Sequence, residues 1–236
     1  MATHGCSAST PGDVPGGEKT LTAKAVDAGA GLLQKLNPIQ AFQQHICTWA
    51  IFSHDMKRKI ETHHYAARLN EDFLQCAVYD SDQPNARLIG VEYVISEKVF
   101  KTLPKEEKQL WHSHEFEIKE GLWVNPGVPE AIQKQELKGL ANTYGKFWCT
   151  WQFDRGDTLP MGAPALMMSP QEQEPGRIPD ASVSNRDARY GISSASRKQS
   201  RADIKGLGTV DPNADRWRQT GKGWAVELVD VLMALG

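Results

Sequence analysis

A chain of 236 residues, 40% of them hydrophobic, holds enough apolar mass for one domain with tails. Its formal charge of -2 excludes a globally basic or acidic protein and names no partner. No apolar run approaches the roughly 18–20 residues that a bilayer span needs, so any membrane contact is expected to be peripheral.

Residues 1–17 are rich in Gly, Ser, Thr and Pro and read as a disordered tail without an apolar signal segment. Glu18 to Leu36 reads as a helix, with Thr20 or Thr22 as cap and Pro38 as stop. Pro38 to Phe52 is apolar and fits either a buried helical turn or a strand. Strands follow over Lys59–Leu69, Phe73–Tyr79 and Ala86–Ile95, with the turn cluster 80–85 between the last two; this suggests an antiparallel meander. Ser96 caps a helix over Glu97–Leu103. Pro104, with Glu106 and Glu107, starts another that runs to Trp111. His112 to Val124 reads as a strand and Glu130 to Tyr144 as a helix ended by Gly145. Lys146–Phe153 and Ala163–Met168 read as strands.

The fold expected is α+β, an antiparallel sheet flanked by helices, with an irregular N-terminal tail and a C-terminal extension. The organisation expected is a tail at 1–17, a core at 18–169, a basic irregular extension at 170–223 and an apolar helix at 224–236. From Arg177 to Lys222 there are ten Lys/Arg against five Asp/Glu, a local balance of +5 that leaves -7 elsewhere. Such a stretch can lie on an anionic surface. Cys6, Cys47, Cys76 and Cys149 form no CxxC pair and suit a reducing compartment.

Six of seven histidines lie between His45 and His114, save for His4 outside that stretch. They concentrate in Glu61-Thr62-His63-His64-Tyr65 and Trp111-His112-Ser113-His114-Glu115-Phe116-Glu117. In a strand, His112 and His114 share a face, whereas His63 and His64 cannot both join them from one regular strand. Two or three imidazoles on one side can chelate a divalent transition metal such as zinc. The candidate ligands are therefore His63, His64, His112 and His114. The cupin family uses a comparable histidine pair, but the expected glycine is replaced by Glu106, the carboxylate spacing fails and no later histidine exists. Glu106, Glu107, Glu115 and Glu117 read as helix-start or solvent-facing charges. The nucleophile elbow, the phosphate loop and the dinucleotide fingerprint are all missing.

Asn85 to Ser96, Leu110 to Gly121, Glu61 to Tyr65, Asn70 to Cys76, Lys35 to Pro38 and the Trp148 region, in that set and order, resemble the oil body-associated proteins of plant seeds. The likeness covers roughly residues 20–225, and departs from many relatives at Ala66, where a Cys is expected. It implies a peripheral protein of the lipid-droplet surface, otherwise cytoplasmic, that helps maintain droplet structure and stability without being an enzyme. It carries over no catalytic residue. The implied partners are the droplet's phospholipid monolayer and other droplet proteins, with no nucleic acid. Trp224–Leu235 is expected as an apolar helix that either packs on the domain or faces lipid. The alternative is a metal-binding protein, or a metal-dependent enzyme, built on the histidines.

Overall fold

The computed structural model describes residues 14–234. Helix α1 (Leu21–Leu33) takes its cap from Thr20, whose hydroxyl accepts from the Ala23 amide. After the short α2 (Asn37–Gln40) come four strands, β1 (Gln44–Phe52), β2 (Asp55–Asn70), β3 (Phe73–Tyr79) and β4 (Leu88–Ser96). Next are α3 (Glu97–Lys101), α4 (Lys105–Lys108), β5 (His112–Ser113), α5 (Glu115–Lys119), α6 (Glu130–Leu140), β6 (Thr143–Cys149) and β7 (Ala165–Met168). Helices α7 (Asp180–Tyr190), α8 (Ser194–Ser200) and α9 (Trp217–Thr220) follow.

The α+β class and the antiparallel sheet are as expected, but the sheet is not open. Its order is β4-β3-β2-β1-β7-β6, and β6 returns to pair with β4 from Gly90↔Cys149 to Ser96↔Thr143. This closes a six-stranded barrel and removes the sheet edges. The other edge of β6 is shared: β7 takes residues 147–149, and β5 takes Tyr144 and Gly145. Inward-facing Ile46, Ala50, Phe52, Ile60, Ala66, Leu74, Val78, Val94 and Phe147 fill the barrel, and Ile118, Trp123, Leu137 and Leu140 belong to the same core. The outward residues Trp49 and Ile51 of β1 are also buried, against Leu122, Ile178 and Val183. Burial on both faces explains why the apolar run before Phe52 lacked strand alternation in the sequence.

Four expectations need correction. His112–Val124 is not one strand: it turns into α5 after two residues, because Glu115 and Glu117 suit a helix's first turn and the amides of Leu122 and Trp123 close back on the Glu117 carbonyl. Gly145 does not end α6; it lies inside β6. The span 170–223 is not irregular, since α7, α8 and α9 pack on the barrel. Its arginines point inward: Arg186 and Arg201 are fully buried. Arg186 donates to the Leu122 carbonyl and lies over the Trp49 ring. Arg201 donates to the carbonyls of Ile118 and Trp123 and pairs with Glu130 at the start of α6. Gly121, at φ +76°, lets α8 approach, for a Cβ there would overlap the Ser194 carbonyl. Three of the ten basic residues, Arg186, Arg197 and Arg201, are thus taken inside the fold, while Arg177, Arg189, Lys198, Lys205, Arg218 and Lys222 stay exposed. Finally, residues 222–234 form no helix. A stretch this short is marginal without packing, and Leu228 and Leu232 are 81% and 100% exposed. The tail expected at 1–17 lies, up to residue 13, outside the described residues.

Arg201→Gln should cost about 2–4 kcal/mol, since it leaves the buried Ile118 and Trp123 carbonyls without their donor and Glu130 with Arg197 alone of its two guanidinium partners. Lys205→Ala, on the exposed surface nearby, should stay within about 0.5 kcal/mol. Urea unfolding of both variants checks this; equal midpoints would show that the buried guanidinium does not hold the extension down.

Candidate metal centre

Strand alternation separates the two neighbouring histidines. His64 points into the barrel with Ile60, Thr62 and Ala66, and His63 points out. The inward positions of β4 are Gly90, Glu92 and Val94, so Glu92 enters the same interior and is 3% exposed. His112 ends its ring there from β5, and His114 does so from the turn just beyond it.

Three histidines therefore meet one carboxylate. Glu92 Oε1 lies 3.0 Å from His112 Nε2 and 3.6 Å from His114 Nε2, and Oε2 lies 2.8 Å from His64 Nδ1. All four side chains are buried. Their outer ring nitrogens are anchored as well. His112 Nδ1 is 3.1 Å from the Met167 carbonyl, His114 Nδ1 is 2.8 Å from Thr143 Oγ1, and His64 Nε2 is 2.9 Å from Thr62 Oγ1. Trp123 packs its edge on His114 and Phe147 on His64, which keeps the centre dry. The extension contributes too: Asp215 Oδ2 accepts from the amide and hydroxyl of Ser113, between the two histidines, and so pins β5 in place.

Charge follows this geometry. Burial alone would raise the Glu92 carboxyl, but His64 and the hydrogen bonds from His112 and His114 hold it well below the usual range. Burial lowers the His112 imidazole, yet its bond to Glu92 outweighs this and the net shift is upward; for His114 burial wins. Glu117 lines the same space. Burial pushes its carboxyl up to about 8, against the bond donated by the Thr48 hydroxyl. Glu117 is therefore not the solvent-facing charge its sequence position suggested.

The space between these groups is about 10 Å³, roughly what one water or one bare ion occupies by that measure. Gly145 packs directly on three of the donor atoms. A Cβ on that residue would fall within 2.6 Å of Glu92 Oε1, His114 Nε2 and His112 Nε2 at once. One point thus lies close to three donor atoms, and only glycine leaves it free.

His63 belongs to a different group. On the outer face its Nε2 lies 3.3 Å from Glu61 Oε1, and its Nδ1 lies 3.0 Å from His45 Nε2. Cys47 Sγ is 3.5 Å from the same Glu61 oxygen. These three donors are close enough for a cation, but Glu61 already pairs with Arg189. Burial, with the Glu61 charge, raises the Cys47 thiol far above its ordinary value, so it stays protonated. Burial also lowers His45 to about 4. This outer group is a hydrogen-bonded patch under α7. Two participants escaped the sequence reading, His45 and Glu92; a Glu at an inward position of the apolar run Ile89–Ile95 was the available signal for the second.

Gly145→Ala should lower the melting temperature clearly, since the new methyl overlaps three buried polar atoms. Gly139→Ala, on α6 with open space around its Cβ, should gain about 0.5–1 kcal/mol. Thermal melts of the pair test the packing; a harmless Gly145→Ala would mean that the donor atoms do not converge.

The family model described as "Protein of unknown function (DUF1264)" matches residues 36–205. Oil body-associated protein 2B of Zea mays is 53% identical over 93% of this chain and 88% of its own length. Oil body-associated protein 2A of Arabidopsis thaliana is 50% identical over 93% of this chain and 89% of its own. Oil body-associated protein 1B of Arabidopsis thaliana is 41% identical over 95% and 92%. No solved structure matches the chain.

Proposed function

The chain belongs to the oil body-associated protein family, and from that premise we propose that it is a peripheral protein of the lipid-droplet surface that helps maintain droplet structure and stability. The names of relatives about half identical over most of the chain carry this reading. Its partners are the phospholipid monolayer and other droplet proteins.

The physical support lies at the ends of the described chain. Helix α1 buries none of its residues, and Leu21, Leu32 and Leu33 are 85%, 87% and 86% exposed. Lys19 and Lys24 lie near its start and Lys35 just past its end. An exposed apolar helix with basic flanks suits the interface plane of a monolayer. Burying one Leu or Val side chain is worth about 1.5–3 kcal/mol, so three or four inserted residues sustain reversible attachment. The second apolar segment is 224–234, which can fold against the lipid although it is irregular here. Among the described residues, no helix is long and apolar enough to cross a membrane. The barrel interior, with a cavity of about 10 Å³, has no room for a lipid.

The protein should float with droplets and be released by alkaline carbonate or high salt; retention through both washes would contradict peripheral attachment. Leu32→Asp with Leu33→Asp should weaken flotation at least tenfold at an unchanged melting temperature, since neither side chain is buried. The same pair of measurements on Leu228→Asp with Leu232→Asp assigns the contribution of the second segment. If all four substitutions together leave flotation intact, both attachment surfaces are wrong.

A further inference from the structure

We propose that the barrel interior is a binding site for one divalent transition-metal ion, held by His112 Nε2, His114 Nε2 and Glu92 Oε1, with His64 steadying the other carboxylate oxygen. This is independent of droplet attachment, which uses other residues.

The hydrogen bonds around the imidazoles decide where their protons are. A carbonyl only accepts, so the Met167 carbonyl, 3.1 Å away, places a proton on His112 Nδ1. The Thr143 hydroxyl gives its own proton to the Leu140 carbonyl at 2.6 Å, so it must accept from His114 Nδ1. The Thr62 hydroxyl lies 3.5 Å from the Thr48 carbonyl, too far to fix its proton, so His64 is free to donate from Nδ1 to Glu92 Oε2 at 2.8 Å. Neutral His112 and His114 then turn a lone pair, not a proton, toward Glu92 Oε1. This is the arrangement in which metal-binding histidines are held, with the outer N–H donated to a fixed acceptor.

Lone pairs facing a carboxylate repel it unless a cation sits between them. One proton, on His112, balances the charge of Glu92 but serves one contact. Protons on both His112 and His64 still leave His114 Nε2 facing Oε1 at 3.6 Å without one. A single ion serves Glu92 Oε1, His112 and His114 together. The distances fit: zinc bonds of about 2.0–2.1 Å at tetrahedral angles put donor atoms roughly 3.3–3.4 Å apart, and the two Oε1–Nε2 separations are 3.0 and 3.6 Å. The space that Glu92, His112 and His114 line is the size of an ion. Imidazoles with one carboxylate favour zinc, iron, cobalt, nickel or copper over calcium or magnesium, which prefer oxygen donors throughout. The enclosure leaves no room for a substrate beside the ion, so its role is to cross-link β4, β5 and the turn after it.

Full-length protein, stripped with chelator and titrated with Zn²⁺ or Co²⁺, tests this. One equivalent per chain should bind. Metal at 100 times its dissociation constant should raise the melting temperature by about 5–10 °C, and bound Co²⁺ should show the intense visible bands of a four-coordinate site. Glu92→Gln and His112→Gln should lose binding by more than 100-fold, whereas His63→Gln should keep it. Thr143→Val removes only the acceptor of His114 and should weaken affinity about 10–100-fold, with Thr143→Ser restoring it; this variant serves if the ligand substitutions fail to fold. Wild-type protein that binds no metal and melts unchanged would overturn the proposal and leave a proton-sharing cluster. Equal uptake by His112→Gln, as adventitious surface binding, would overturn it as well.

Discussion

Glu92 holds an ionised carboxylate, 3% exposed, on the inner face of a closed barrel, where an unpaired charge costs several kcal/mol. The surrounding architecture answers that constraint. β2 must bring His64 to the same interior from across β3, and β6 must carry glycine beside the carboxylate. β5 ends after two residues, and His114 enters the interior from the turn that follows it. The αR backbone of His114, at φ -95° and ψ -6°, starts α5 and bends the ring toward Glu92. An apolar residue at position 92 would relieve the charge, and would leave the three histidines facing an unfilled space.

The extension is what fixes this arrangement from outside. Asp215 grips Ser113, so β5 cannot slide along β6. Arg201 ties the segments before and after Leu122 to the start of α6, through carbonyls on one side and Glu130 on the other. Arg186 covers the outer face of β1 and binds the chain at Leu122. A buried guanidinium is stable only where acceptors surround it, and these two find theirs on the loop that follows α5. The barrel core and the residues beyond 170 therefore form one cooperative unit.

Local signals were legible where one physical cause dominated. The Thr20 cap and the spacing of Leu21, Ala25, Ala28 and Leu32 marked α1. The alternation in Phe73–Tyr79, bounded by turn residues, marked β3 at its observed limits. The convergence of His64, His112 and His114 was legible in part, because alternation already forbade His63 and His64 from facing one point. What was not legible depends on contacts far apart in sequence. Closure of the barrel rests on β4 pairing with β6 some fifty residues later, which no local pattern records. Gly145 reads as a helix stop, since glycine after a helical run usually is one, and its actual reason lies in three side chains from β4, β5 and the turn beyond. The basic residues of 177–222 read as a solvated or lipid-facing stretch, because composition does not reveal that Glu130 and a row of carbonyls await them.

Interior and periphery make opposite demands on the sequence. The centre needs rigid walls: its imidazoles are oriented by Met167 on β7, Thr143 on β6 and Thr62 on β2, so three strands must keep their places. Attachment to a monolayer needs the reverse, apolar side chains that the fold leaves unburied and backbone free to settle at the interface. The chain meets both by placing them apart. The barrel takes in Arg186, Arg197 and Arg201 of the extension, whereas α1 and 224–234 keep Leu21, Leu32, Leu33, Leu228 and Leu232 in the open. The two exposed leucines on barrel strands, Leu69 and Leu88, sit at strand ends, clear of the register that aligns Glu92 with Phe147 and Gly145 with Val94. The leucines of α1 and 224–234 lie outside the core clusters, so substitutions at the proposed attachment segments and at the proposed ion site should act independently.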